Sequence, residues 1–228
     1  MKKYELTDEY IEIGLVTKIK LYRIKALVTI ASIGVGAGDL GGYVEKESNL
    51  DQSGNAWVYG NAKVYGNAEV YGNAKVYGNA EVCGNARVFD DAEVYGNAKV
   101  FDDAEVYGNA KVYGNAKVFD DAEVCGNARV FDDAEVYGNA KVYGNAEVCG
   151  NARVYERSDI VWFSNVGTEY GTLTVFKTKQ GVLWVTRGCF SGSVEEFLKK
   201  SAEVHDEKNK REYQLLIEVA KSRLEETQ

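Results

Sequence analysis

Between residues 56 and 155 the chain repeats one six-residue pattern without insertion or deletion. Each unit runs alanine, a mostly charged residue, valine, an aromatic residue or cysteine, and a Gly-Asn or Asp-Asp pair, as in AKVYGN, AEVYGN and ARVFDD. Valine occupies every sixth position from Val58 to Val154, seventeen in all, and an alanine stands two residues before each, from Ala56 to Ala152. Such self-similarity outranks other signals in a sequence. A period of six suits neither a helix nor an ordinary two-faced strand. An Ala-x-Val triplet makes a short strand with alanine and valine on one face, and Gly-Asn makes a corner because both residues tolerate positive φ. One such strand cannot bury its valine alone. The pattern therefore predicts units that coil and stack around a column of valines, each coil closing its backbone hydrogen bonds on the coils above and below.

The residue between alanine and valine tests the number of units per coil. From Lys63 to Arg153 its charge alternates in sign, with one slip at Lys111 and Lys117. Coils of twelve residues would stack like charges. Coils of eighteen stack opposites, with Lys63 on Glu81, Lys75 on Glu93 and Glu93 on Lys111, and give thirteen vertical pairs of which ten are opposite and three alike. Exposed contacts of this kind are each worth about 0.2–1 kcal/mol, so they argue for register more than for stability.

The six-residue period and the inward Ala-x-Val pair resemble the hexapeptide-repeat proteins. That resemblance covers about 100 of the 228 residues. It implies a mainly β fold: a single-stranded, left-handed parallel β-helix of triangular coils, three hexapeptides to a turn. The segment GDLGGYVEKESNLDQSGNAWVYGNA and the tail WFSNVGTEYGTLTVFKTKQGVLWVTRGCFSGSVEEF are similar to bacterial and prophage YGNA-repeat proteins. They imply a phage or prophage context without naming a reaction.

The flanks read as caps, 1–55 before the repeat and 156–228 after it. In the first, YIEI and KIKLYRIKALVTI read as strands. Gly36, Gly38 and Gly41 match the dinucleotide-binding spacing GxGxxG, but no helical pattern follows and Val44 and Leu50 already lie six apart. These glycines are read as turning the chain into the first coil. In the second cap, Glu156 and Arg157 replace the corner pair. TLTVF and GVLWV then pair across KTKQG in a small sheet over 160–190. Ser193 and Glu196 form a capping box opening a helix to about His205, and a further helix spans about Glu207 to Leu224 with Tyr213, Leu216, Ile217, Ala220 and Leu224 on one face. A cover is required because an open last coil exposes a strand edge.

Composition narrows the functional classes. There is no run of 18 apolar residues and no signal-peptide pattern after the Lys-Lys start, so a soluble, cytoplasmic protein without membrane contact is expected. Net charge is −8, and eight aspartates lie in four FDD units, which disfavours binding to a nucleic-acid backbone. Cys83, Cys125 and Cys149 are separated by 42, 24 and 66 residues, none a multiple of eighteen, so they fall on three faces and are expected to stay reduced. Cys189 lies outside the repeat.

Candidate chemistry is sparse. His205 is the only histidine. Acyltransferases and carbonic anhydrases of the resembled fold use histidines in or beside the coils, which this chain lacks, so no catalytic residue is assigned; a degenerate acyltransferase is the competing reading. Cys189, Arg187 and His205 could supply a nucleophile, an anion clamp and a base, although their spacing is no signature. The alternatives are a packed cysteine and a helix-end histidine facing the last-turn carbonyls. Tyr59, Tyr77, Tyr95 and Tyr113 stack at intervals of eighteen and continue to Phe131. Further stripes hold Tyr65, Phe101, Phe119 and Tyr137, and Tyr71, Phe89, Tyr107 and Tyr143. Three exposed aromatic stripes are expected, either as stiffening ladders or as an adhesive face for a homotrimer or a partner. Binding candidates are therefore Tyr59, Tyr77, Tyr95, Tyr113 and Arg187. Asp102 and Asp103 stack on Asp120 and Asp121 about 4.8 Å apart, a place for calcium or magnesium, or a copied repeat variant screened by solvent. The expectation is a non-catalytic binding protein acting on a host factor, either as an acidic decoy surface for a host protein or by sequestering a small nucleotide-like signalling ligand. A purely structural rod is the third possibility.

Overall fold

The computed structural model describes residues 2–224. Its centre is a parallel β-solenoid of seventeen two-residue strands, β4 (Trp57–Val58) through β20 (Arg153–Val154), one for each repeat. Every third strand falls on the same face. Val58 pairs with Val76, Val64 with Val82 and Val70 with Val88, a step of eighteen residues that persists to the last coil. Every alanine and valine of the repeat is buried. The residue before valine, the aromatic residue and the corner asparagine send their N–H groups to the next coil, as in Lys75 N to Ala92 O (2.9 Å), Tyr77 N to Val94 O (3.0 Å) and Asn79 N to Gly96 O (2.7 Å). The corner glycines adopt positive φ, for example +73° at Gly84. A Cβ there would lie 2.7 Å from the Asp102 nitrogen of the coil above, so a side chain at Gly84 would force the two coils to shift.

Stacking begins before residue 56. Strands β1 (Tyr4–Ile13) and β2 (Ile19–Ala26) form an antiparallel hairpin, and β2 pairs with β3 (Leu40–Val44). Strand β3 lies parallel to the rung Lys63–Val64, with Val44 opposite Val64 and Leu50 opposite Val70. That step is twenty residues rather than eighteen, because the stretch after Leu50 carries two residues more than a repeat. No α-helix follows the glycine-rich segment. Gly41 and Gly42 instead let β3 approach the coil, since a Cβ on either would lie 2.6 Å from a backbone oxygen, of Val58 or of Ala62. The second expected strand is shorter than its apolar run: it ends at Ala26, and Ile30 bridges to Val35. Tyr4 closes the first coil, with its ring edge-on to Trp57 at 6.2 Å and its hydroxyl donating to Glu47 O (2.8 Å) and Leu50 O (2.7 Å).

The far end is closed by an antiparallel sheet, β21 (Ile160–Val166), β22 (Gly171–Lys177), β23 (Leu183–Arg187) and β24 (Phe190–Ser193), and by helices α1 (Val194–Val204) and α2 (Glu207–Leu224). Ser193 and Glu196 form the expected capping box. Phe197 of α1 and Tyr213, Ile217, Ala220 and Leu224 of α2 pack on Leu173, Val175 and Val185 of the sheet. Buried threonines replace the coil that would come next. Thr174 Oγ1 accepts from Glu147 N (3.2 Å), Thr186 Oγ1 donates to Glu147 O (2.8 Å), and Thr178 bridges to Ala152. The edge at Glu147 and Ala152 is thereby met without a further repeat.

The charge ladders follow the eighteen-residue step. Lys63 and Lys99 both meet Glu81 (2.8 and 3.2 Å), Lys111 meets Glu93 (3.4 Å), and Arg87 pairs with Glu105. The three like pairs, Lys99 over Lys117, Glu105 over Glu123 and Lys111 over Arg129, all cross one coil-to-coil junction. Deleting 99–116 places Lys117 over Glu81, Glu123 over Arg87 and Arg129 over Glu93, leaving opposite charges throughout. Deleting 75–92 removes the same length but keeps the like pairs and adds two more. Both shortened chains should fold. The first should melt higher in thermal circular dichroism, by a margin that shrinks in high salt, since each vertical pair contributes about 0.2–1 kcal/mol. Equal melting temperatures at low salt would refute this account of the ladders.

Candidate functional site

The aromatic column from Tyr59 to Phe131 is continuous, Cys83 and Cys125 interrupt the other two, and most of the rings are not exposed. Tyr77 and Tyr95 lie 4.7 Å apart between centroids and within 3° of parallel, and Tyr95–Tyr113 and Tyr113–Phe131 follow at 4.8 and 4.9 Å. Tyr59 meets Tyr77 edge-on. Each ring covers the faces of its neighbours, so the expected exposed stripes are half-buried, and only Tyr143 and Tyr155 of the columns are largely open. Tyr77 Oη donates to Glu93 Oε2 (2.9 Å). The rings thus act as cross-strand ladders that leave only edges to solvent.

The four aspartates occupy two different positions. Asp102 (φ 58°) and Asp120 (φ 56°) hold the left-handed conformation that glycine takes elsewhere, and Asp120 Oδ2 accepts from the Gly138 N–H of the next coil (3.1 Å). Asp103 stands in an asparagine ladder, accepting from Asn85 Nδ2 (2.9 Å), and Asp121 holds the equivalent position eighteen residues on. Among the described residues no group of three or more His, Cys, Asp or Glu side chains is arranged to hold a metal ion. The structure therefore does not gather Asp102, Asp103, Asp120 and Asp121 into such a centre. Their oxygens are turned along the coil corners.

The C-terminal cap holds what the coils lack. Strand β23 ends at Arg187, Gly188 turns the chain at φ 56°, and Cys189 sits exposed at the tip before Phe190 opens β24. Across from this turn, Phe197, Lys200, Ser201 and Val204 share one face of α1, being three, four and seven residues apart. His205 follows as the helix C-cap. Its backbone N–H donates to Ser201 O (3.1 Å), while its ring packs on Tyr213 with centroids 5.2 Å apart, not against the last-turn carbonyls. The two walls enclose a cleft of about 440 Å³, floored by the edge-to-face series Phe190–Phe197–Tyr213. Arg187 Nη2 donates to Val166 O (3.0 Å).

Arg187, Cys189 and His205 are thus brought to one cleft, although no hydrogen bond among the described residues joins the thiol to the imidazole. Four buried side-chain polar atoms lack a hydrogen-bond partner among the described residues, and three of them belong to residues of this cleft, although Arg187 Nε, Ser201 Oγ and His205 Nδ1 are themselves closed off from solvent. Ser201 and Lys200 escaped the reading of the sequence. Their i, i+3, i+4, i+7 spacing with Phe197 and Val204, ending at the only histidine, was the available signal.

No protein-family model matches the chain, and no curated protein sequence matches it. No helix among the described residues is long and apolar enough to cross a membrane.

The half-buried tyrosines couple stability to alkaline pH. Burial raises the phenols of Tyr59, Tyr65, Tyr77 and Tyr113 above the ordinary value of 10.0, and at Tyr77 the hydrogen bond to Glu93 adds to it. Above that pH the unfolded chain ionises first and binds fewer protons than the folded one. The contribution is therefore fully present below pH 10.0 and is lost as pH rises past it. Phenolate absorbance should appear in the same transition as the loss of β-sheet circular dichroism. Complete phenolate formation with an unchanged β-sheet spectrum would show the columns to be solvent-open.

Proposed function

We propose that this is a non-catalytic binding protein in which the solenoid is a stiff carrier and the C-terminal cleft captures a small ligand. The observation that carries this reading is the gathering of Arg187, Lys200, Ser201 and His205 around one cleft with an aromatic floor. Pockets of a few hundred cubic ångströms with an apolar lining and a few convergent polar groups are the usual form of a small-molecule site. The volume and the mixed lining favour a nucleotide-sized ligand. The prophage context that the resemblance of the two flanking segments implies would place that ligand in a host cell, where sequestering a signalling molecule would interfere with the host.

A decoy surface for a host protein is less favoured, because the coil charges are largely matched within vertical ladders and the aromatic faces are covered by stacking. A purely structural rod gives no account of this cleft. A degenerate acyltransferase would need a base, and the only histidine lies in the cap rather than in the coils.

Denaturing natively purified full-length protein and identifying the released small molecules by mass spectrometry tests the reading. A ligand is expected from the wild type and about fivefold less from Arg187→Gln, the occupancy change that follows from losing about 1.4 kcal/mol of affinity near half-saturation. Acetyl-coenzyme A turnover by the wild type that vanishes in His205→Ala would overturn the proposal in favour of catalysis.

A further inference from the structure

We infer that the outer face of the solenoid carries a slot for a small, flat aromatic cation, formed where Cys125 interrupts a column of rings. The slot is separate from the cleft and does not rest on the reading of it. Rings in this column stack once per coil, Tyr71 on Phe89 at 4.8 Å and Phe89 on Tyr107 at 4.9 Å, within 4° of parallel. The next member is Cys125, and the one after it is Tyr143. A single sulfur therefore stands where the column has a ring, and the positions of Tyr107 and Tyr143 lie two strand spacings, about 9.6 Å, apart. One ring of a ligand fills that interval at the spacing its neighbours already keep.

Both walls are held in place. Phe89 backs Tyr107 from below, and the Tyr107 hydroxyl donates to Glu123 Oε2 (3.3 Å). Trp162 of the cap meets Tyr143 edge-on at 4.3 Å from above. With no ring on its other side Tyr143 is 50 % exposed, and Cys125 is half-buried. Cys83 leaves a similar gap, but Tyr65 opens that column, and of its two walls only Phe101 has a ring behind it, Phe119 at 4.8 Å. Charge separates the two gaps. The outward residues two positions before the column members are Glu105, Glu123 and Lys141 around Cys125, and Lys63, Glu81 and Lys99 around Cys83. Two electron-rich ring faces beside a net negative rung select a cation at Cys125. The slot also keeps its place beside the cap whatever the length of the rod, since deleting 99–116 puts Phe89 beneath Cys125 where Tyr107 had been.

Filling the slot with a side chain tests it. Full-length protein is titrated with 1-methylquinolinium, 2-naphthoate or cyclohexylammonium, and binding is read from the broadening of the probe's NMR signals. Saturable binding is expected for the flat cation, about fivefold weaker binding for the flat anion, and none for the cation without a ring face. Cys125→Tyr supplies the missing ring. It should abolish binding and raise the melting temperature by about 2–4 °C, the shift that one added stacked ring gives a chain of this size. Cys125→Ala and Cys83→Tyr should bind as the wild type does, and Tyr143→Ala should bind about 2–10-fold more weakly. No saturable binding of the flat cation by the wild type, or equal binding by Cys125→Tyr, would overturn the slot. A Cys125→Tyr protein that melts no higher than the wild type would overturn it as well, because the interval then does not take a ring. Loss of binding in Cys125→Ala would assign the contact to the thiol instead, and naphthoate binding as tightly as the quinolinium would overturn the choice of a cation.

Discussion

Each coil must land on the last with its backbone hydrogen bonds closed, and the rest of the structure depends on that. A two-residue rung makes too few contacts to persist alone, so its stability comes from the rungs above and below and from the valine it buries. The demand for an eighteen-residue step then dictates every other position of the repeat. Alanine and valine face in because nothing larger fits the triangular interior throughout. The corner takes glycine, or an aspartate in the same left-handed conformation, because adjacent corners stack backbone on backbone. Aromatic rings and charges stack one strand spacing apart because the backbone does, and their ladders follow from the register without creating it.

A structure that satisfies each edge with the next copy of itself has no internal way to stop, and the two caps solve this differently. At the start, Tyr4 and Trp57 seal the core, and glycines at 41 and 42 bring in a strand that accepts the coil's register after a two-residue offset. At the finish, Thr174, Thr178 and Thr186 reach from an ordinary antiparallel sheet to meet the last backbone groups. In this second cap the chain is free of the period, and there it can afford residues chosen for something other than stacking. The unpartnered polar atoms lie in the caps, Arg23 Nε in the first and the other three in the second, not in the coils.

This division explains what could be read before the fold was known. Period, coil length and charge register are local or repeat at fixed intervals, so Val58 to Val154 and the thirteen charge pairs were legible from spacing alone. The capping box at Ser193 and Glu196 likewise marked the start of α1, since the residues that signal a helix start also bond it. Ring exposure was misjudged because spacing reports that rings are neighbours, not that they lie within a few degrees of parallel and shield one another. The aspartate corners were read as charge; backbone conformation, which sequence shows only through the glycines they replace, decides their role. The cleft was hidden for a different reason. Arg187, Ser201, His205 and Tyr213 have no common period, and only the packing of two helices against a sheet brings them together.

The one flaw in the repeat bears on what the rod is for. All three like-charge pairs cross a single junction, the pattern left when a block of units is gained or lost out of phase with the alternating charges. Backbone register survives such a change because each unit is six residues and each coil three units, so only the ladders record it. Whole coils can therefore be added or removed without disturbing either cap, while within a cap a single residue shifts every contact. Rod length is then the loosely constrained quantity and cap geometry the tightly constrained one. A protein whose function lay in the flank of the rod would need the opposite arrangement. Tolerance in the coils together with specificity in the cap fits a carrier whose stiffness keeps the terminal sheet, and the cleft built on it, in one fixed geometry.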